Sequence, residues 1–167
     1  MSNTPLPSTR MEQFVALSSV LTGFTTDTLA PSLDPTDPPL KKLYLDAADA
    51  SSSQTVDALL AAFAKLAGQP SQSIANTLLE TASAQPTATA QMARSILKLW
   101  YLGSWYPPTS ILATDGTVVA MNAYIGGLAW SAMQAHPMGY SELKFGYWNS
   151  PPPPLSGVLP PDEANHG

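Results

Sequence analysis

Apolar residues recur at helical spacing through the first hundred positions. Thr9 and Glu12 have the spacing of a capping box, so a first helix is predicted to begin at Thr9. Gly23 is placed to end it. The apolar stripe of this helix, with spacings of three, four and three, consists of Phe14, Leu17, Leu21 and Phe24.

Four further helices are predicted, each with a start or stop signal. Asp37 is the expected cap of the second helix, and the polar run 51–53 separates it from a third that stops at Gly68. The fourth begins at 70–71, and the fifth runs from 86–87 to about residue 102. The predicted inward residues are Leu40, Leu43, Tyr44, Ala47, Val56, Leu59, Leu60, Phe63, Leu66, Ile74, Leu78, Leu79, Met92, Ile96, Leu97, Leu99 and Trp100.

The pattern changes after Gly103, which ends the fifth helix. Asp115-Gly116 between the apolar pairs 111–112 and 118–119 predicts a short hairpin. Asn122 is expected to cap a brief helix, which Gly126-Gly127 weakens. From His136 onward the chain is expected to be irregular, and its last seventeen residues hold six prolines.

The predicted fold is therefore mainly α. About five short helices form an N-terminal body, with an extended link over 25–39 between the first two. An irregular, aromatic- and proline-rich C-terminal third follows, with a short hairpin. A single helical accessory domain is expected over 1–150, and a proline-rich extended tail over 151–167.

Composition excludes several classes of function. Charged residues make up 11% of the chain against the usual quarter, and the net charge is −5. Nucleic acid is not an expected partner, because phosphate binding needs clustered basic residues and Lys41-Lys42 is the only basic pair. The lack of cysteine excludes thiolate metal sites on this chain. No apolar stretch is long enough for membrane insertion, and no signal peptide is visible.

Candidate chemistry is sparse. His136 is the one candidate base outside the tail, and it is more simply explained as a histidine that bonds to backbone. Glu142 is the one acid within the aromatic segment, where a surface role suffices. Neither a metal-binding pattern nor a glycine-rich phosphate loop is present. The chain is therefore not expected to be an enzyme on its own or to bind a cofactor.

Aromatic contact surface is what remains. Tryptophan and tyrosine dominate binding energy when they are buried at the centre of an interface. One cluster of aromatic rings lies at 100–106, a short aromatic stretch lies at 124–130, and a second cluster lies at 140–148. The predicted partner-binding residues are Trp100, Tyr101, Trp105, Tyr106, Trp130, His136, Met138, Tyr140, Phe145, Tyr147 and Trp148.

Four stretches along the chain resemble the small subunit of bacterial membrane-associated, FAD-dependent sugar and sugar-alcohol dehydrogenases. They are Phe14-Val15-Ala16-Leu17-Ser18 with Leu21-Thr22-Gly23-Phe24; Leu99-Trp100-Tyr101-Leu102-Gly103-Ser104-Trp105; Tyr124 with Leu128 and Trp130; and His136-Pro137-Met138-Gly139-Tyr140 continuing to Phe145-Gly146-Tyr147-Trp148.

The resemblance implies a non-catalytic subunit that binds and stabilises a large flavoprotein and assists its maturation or export. In that family the large subunit binds FAD, often carries an iron–sulfur cluster, and oxidises the sugar, polyol or glucoside. A third, haem-bearing cytochrome subunit can take the electrons. The implied compartment is the periplasm. Residues 1–10 lack the paired arginines of the family's usual signal, so the cytoplasm is the alternative.

Two other functions stay open on the sequence. One is a free-standing small helical enzyme that uses His136 with Glu142. The other is a module that binds peptides or a membrane surface through its tryptophan-rich face, although basic residues for anionic lipid are few.

Overall fold

A computed structural model describes residues 9–32, 38–109 and 116–139 of the 167-residue chain. The chain divides into two compact units, Met1–Ala135 and His136–Gly167. Of the second unit only 136–139 are described. The expected boundary between a domain over 1–150 and a tail lies outside the described residues.

The first helix, α1 (Arg10–Thr22), begins and ends as the sequence predicts. The Glu12 N–H donates to Thr9 Oγ1 at 3.2 Å, and the Thr9 N–H donates to Glu12 Oε2 at 3.0 Å. Gly23 ends the helix in the left-handed conformation, with φ 79°. A short helix that the sequence did not predict, α2 (Thr26–Leu29), then follows within the expected extended link.

The next helix, α3 (Leu40–Lys65), contains the break that the sequence places at 51–53. Ser52 adopts extended backbone angles inside the helix, with φ −169° and ψ 97°. Its Oγ accepts from the Thr55 N–H at 3.2 Å, as a cap does for the second half. The first half begins after Pro39, which supplies no side-chain cap, so the prediction of a helix starting at Asp37-Pro38 is corrected.

Two helices complete the body, α4 (Ser71–Leu79) and α5 (Ala88–Leu102). Thr87 caps α5 through its Oγ1, which accepts from the Ala90 N–H at 3.3 Å. Gly103 ends α5 in the left-handed conformation, with φ 66°. Both boundaries of α5 are as predicted.

The core lies where α1, α3, α4 and α5 pack together. The stripes predicted from spacing supply most of it, because residues three and four apart share one face of a helix. The largest side chains with almost no exposed surface are Trp100, Tyr44, Phe14, Leu17, Leu59, Met92, Ile96 and Leu99.

A small hairpin and two short helices follow α5. Strand β1 (Ser104–Trp105) pairs antiparallel with β2 (Thr117–Val118), so a hairpin is present. The partner described for β2 is β1, whereas the sequence predicted 111–112, which lie outside the described residues. The chain then forms α6 (Met121–Ile125) and α7 (Leu128–Ala132).

The break between α6 and α7 falls at Gly126-Gly127, the pair that weakened the prediction of one helix there. The cap position of α6 is Ala120, so the expected cap at Asn122 is wrong. The Asn122 side chain instead points its Nδ2 toward the carbonyl oxygen of Pro38, 3.5 Å away. The fold is mainly helical, with a small hairpin, as the sequence predicts.

Candidate partner-binding surface

Trp100 is a core residue. Only 2% of its surface is exposed, and its ring meets that of Tyr44 edge-on, with the centroids 4.7 Å apart. Aromatic pairs in this geometry add about 0.5–1.5 kcal/mol beyond the area they bury. The expectation that Trp100 faces a partner is therefore corrected. Its own helices cover it, because its helical position places it beside Ile96 and Leu99 on the inward side of α5.

Tyr101, the next residue, connects the end of α5 to the end of α1 through a hydrogen bond and a ring contact. Its hydroxyl donates to the carbonyl oxygen of Thr22 at 3.0 Å. Its ring lies 6.3 Å from that of Phe24, at 71° between planes. The side chain is half-buried, so it presents one edge to the surface and uses its polar atom within the chain.

Trp105 and Tyr106 are both half-buried on the hairpin side. Trp105 packs partly against the core from β1. The Tyr106 ring covers Gly116 so closely that a Cβ there would lie 2.4 Å from Tyr106 Cζ. The Tyr106 ring also lies near Lys98, whose Nζ is 4.9 Å from the ring centroid, within the range of a cation–π interaction. These rings are therefore held in place rather than left free.

The start of α6 is held against the end of α5 by a close backbone approach. A Cβ on Gly103 would lie 2.3 Å from the carbonyl oxygen of Ala123, so only glycine fits there. The same carbonyl receives the hydroxyl of Tyr44 at 3.4 Å. Ala123 is fully buried. Burial raises the pKa of the Tyr44 hydroxyl well above its ordinary value, so this group stays neutral and donates.

The turn into α7 is fixed in a similar way. A Cβ on Gly127 would lie 2.9 Å from the carbonyl oxygen of Tyr101, which again requires a close approach. The indole N–H of Trp130 donates to the carbonyl oxygen of Tyr124 at 2.8 Å. The two rings meet edge-on, with their centroids 5.5 Å apart. Trp130 is half-buried, so part of its ring remains accessible.

Exposed large apolar side chains are confined to the region beyond Tyr101 among the residues that the structure describes. Val118 is 55% exposed and Met121 is 65% exposed. The full set is Leu102, Val118, Met121, Ile125, Met133 and Met138. Of these, the sequence predicted only Met138 as a contact. The available signal was the spacing of Met121 and Ile125, one helical turn apart and opposite the small Ala123.

The second unit contributes His136 and Met138 to the described residues. Both are exposed, Met138 to 78%. The Nδ1 of His136 lies 3.1 Å from the carbonyl oxygen of Pro137, a contact with backbone. The remaining predicted contacts lie outside the described residues and are Tyr140, Phe145, Tyr147 and Trp148.

A groove of about 470 Å³ lies between α3 and α4 and includes Lys65, Thr77 and Glu80. The Glu80 carboxylate is used by Thr87, which donates its Oγ1–H at 2.7 Å and its N–H at 2.9 Å. These hydrogen bonds lower the pKa of Glu80 below its ordinary value. Glu80 thus joins the end of α4 to the start of α5.

Residues 9–32, 38–109 and 116–139 contain no group of three or more His, Asp or Glu side chains that could hold a metal ion. Within the same ranges, every helix is too short or too polar to cross a bilayer.

Comparison with protein families, with curated proteins and with solved structures gives no match for this chain.

Proposed function

We propose that the chain is the non-catalytic small subunit of an FAD-dependent sugar, polyol or glucoside dehydrogenase complex. It binds the large flavoprotein subunit, stabilises it and assists its maturation or export. The flavin belongs to that partner, as does any iron–sulfur cluster, and a haem-bearing cytochrome subunit is the proposed electron acceptor. The proposed compartment is the periplasm.

One observation carries the binding role. In the described part of the chain, the exposed large apolar side chains all lie beyond Tyr101, while the helical body before it exposes none. The concentration of these side chains in one part of the chain supports a contact with another molecule, because exposed apolar area on a protein surface often marks a binding site. The same region contains the end of the resembling stretch 99–105 and the whole of 124–130, and the resembling stretch that starts at 136 also lies beyond Tyr101.

Charge supports the same role. Asp115 is the single Asp, Glu, Lys or Arg between Lys98 and Glu142. Charged residues are depleted at the centres of protein interfaces, and aromatic residues and methionine are enriched there. Trp105, Tyr106 and Trp130 stand half-buried within this uncharged region, so a partner would complete their burial.

The test co-expresses the tagged chain with the large subunit of an FAD-dependent sugar dehydrogenase, chosen from the reading frames that neighbour the gene of this chain; the absence of a flavoprotein among them would contradict the proposal. We expect the two to co-purify with the absorbance of bound flavin, and the yield of soluble flavoprotein to fall about tenfold when the small chain is omitted. An equal yield of active flavoprotein without the chain, together with no co-purification, would overturn the proposal.

A further inference from the structure

Building on the proposed function, we infer that the outer side of α6 and the adjoining strand β2 form the central contact with the flavoprotein subunit. We call this surface, made of Val118, Met121 and Ile125, the α6 face. Its occupant is an uncharged, apolar surface of that subunit. None of these three residues was predicted as a contact from the sequence.

The geometry of α6 sets which side chains face outward. Met121 and Ile125 are four residues apart, so they project from the same side of the helix. Ala123 lies about 200° around from Met121, and it is fully buried against the core. The buried Ala123 and the exposed pair thus occupy opposite sides of one short helix, and Val118 lies on the strand that α6 contacts.

This surface is held rigidly before any partner arrives. Behind it, the Ala123 carbonyl meets Gly103 at a distance that no other residue allows, and it also receives the Tyr44 hydroxyl. A preorganised surface loses little conformational freedom on binding, so more of the contact energy appears as affinity. Met121 adds adaptability, because the unbranched thioether side chain fits irregular apolar surfaces.

The charge of the segment around the α6 face limits the kind of surface that can bind there. The chain segment that carries the α6 face has no positive residue between Lys98 and Lys144. An acidic protein surface or an anionic bilayer would find no basic residue on this segment with which to pair. A second copy is also disfavoured, since each chain carries a net charge of −5 and two copies would repel. An uncharged, apolar patch on a different protein needs no basic residue with which to pair, and it is not a second copy of this acidic chain.

The test substitutes Met121→Asp in the tagged full chain co-expressed with the same large flavoprotein subunit, and the flavin absorbance retained on the tag is measured. A carboxylate buried in an apolar contact is strongly unfavourable, so retained flavin should fall at least about tenfold. The matched control is Ala64→Asp, which places the same charge on an exposed helical position of α3 and should retain as much flavin as the unsubstituted chain.

Thermal unfolding of the isolated variants separates binding from folding. Met121→Asp should unfold within a few degrees of the unsubstituted chain, because Met121 is exposed. If the Met121→Asp chain does not fold, the test uses Met121→Gln, which is uncharged and similar in size. This variant should retain several-fold less flavin at an unchanged unfolding temperature.

The failures are distinguishable. If the unsubstituted chain retains the flavoprotein and Met121→Asp or Met121→Gln retains it equally, the α6 face is wrong and the proposed function stands. If the unsubstituted chain retains none, the proposed function fails. A dimer of the chain alone, or flotation with phosphatidylglycerol vesicles, that Met121→Asp abolishes would overturn the inference in favour of a second copy or a membrane.

Discussion

The residues before and after Tyr101 use apolar side chains in opposite ways. Before Tyr101, Trp100 and Tyr44 lie inside a shared core and no large apolar side chain is exposed among the described residues. Beyond Tyr101, Val118 and Met121 are more than half exposed, and they lie on the segment between Lys98 and Glu142, whose single charged residue is Asp115. Folding therefore accounts for the apolar side chains of the first region. It does not account for the exposed apolar side chains of the second region, and we propose that a partner surface covers them.

Aromatic residues alone do not distinguish the two regions. Trp100 and Trp130 both meet a tyrosine ring edge-on, at 4.7 and 5.5 Å. They differ in what surrounds them, since Trp100 is enclosed by helices and Trp130 is only half-buried on a short one. Exposure, rather than ring content, therefore marks the candidate surface.

The largest expected effect tests this difference between two tryptophans. Trp100→Ala should lower the free energy of unfolding by about 3–5 kcal/mol, because it opens a cavity in the core. Trp130→Ala should cost clearly less, because its ring is only half-buried. Thermal or denaturant unfolding measures both. Equal losses from the two substitutions would remove the contrast between core and surface rings.

The next effect concerns the junction between the regions. Gly103→Ala should cost about 2–4 kcal/mol, because it combines left-handed strain with a collision against the Ala123 carbonyl. Gly23→Ala is the control. It has similar strain at φ 79°, but the space around its Cβ is open, so it should cost about 1–2 kcal/mol. If Gly103→Ala costs no more than Gly23→Ala, α6 is not held by this approach.

A smaller effect is expected from Tyr44 at alkaline pH. Its pKa is raised in the folded state, so its contribution is fully present below the unfolded pKa of about 10 and is lost as pH rises above it. At about pH 11 the loss should reach about 1 kcal/mol relative to pH 9. Between pH 9 and pH 11 the Tyr44→Phe variant should lose about 1 kcal/mol less unfolding free energy than the unsubstituted chain, measured by denaturant unfolding at both pH values. Identical pH profiles would show that Tyr44 ionises freely in the folded chain.

The smallest effect tests how the body is tied together. Arg10 binds Asp49 through both terminal nitrogens and donates from Nε to Asp57 at 2.9 Å, so it joins the two halves of α3 across the break at Ser52. The hydrogen bond to Asp49 is the main cause of a raised Arg10 pKa. Arg10→Met should cost about 0.5 kcal/mol, because the pairs are partly exposed to solvent.

Lys42→Met is the control for Arg10, because Lys42 pairs with Asp46 within a single exposed turn. It should cost a few tenths of a kcal/mol in the same unfolding measurement. If the two substitutions cost the same, Arg10 has no special part in holding α3.

Local signals in the sequence were enough for most of the body. The capping box at Thr9, the caps at Gly23 and Thr87 and the stop at Gly103 all depend on a few neighbouring residues, and the structure confirms each. The break at Ser52 also follows from local hydrogen bonding of a serine. Such features are predictable because no distant contact is needed to form them.

What the sequence missed depends on distant contacts. Trp100 was predicted both as an inward residue of the fifth helix and as a partner contact, and the contact of its ring with Tyr44, more than fifty positions earlier, decides for the core. The outward side of α6 is defined by a contact between residues distant in sequence, the close approach of the Ala123 carbonyl to Gly103. The helix α2 was missed because it is four residues long and its cap, Thr25, lies in a stretch that reads as a loop.

The proposed docking of the region beyond Tyr101 is tested most directly by oxidative footprinting of its methionines, in the free chain and in the complex with the flavoprotein. Met92 has no exposed surface and should stay unoxidised in both. Met121 should be oxidised rapidly in the free chain and at least about tenfold more slowly in the complex. Oxidation of Met121 at the same rate in both states would contradict the account.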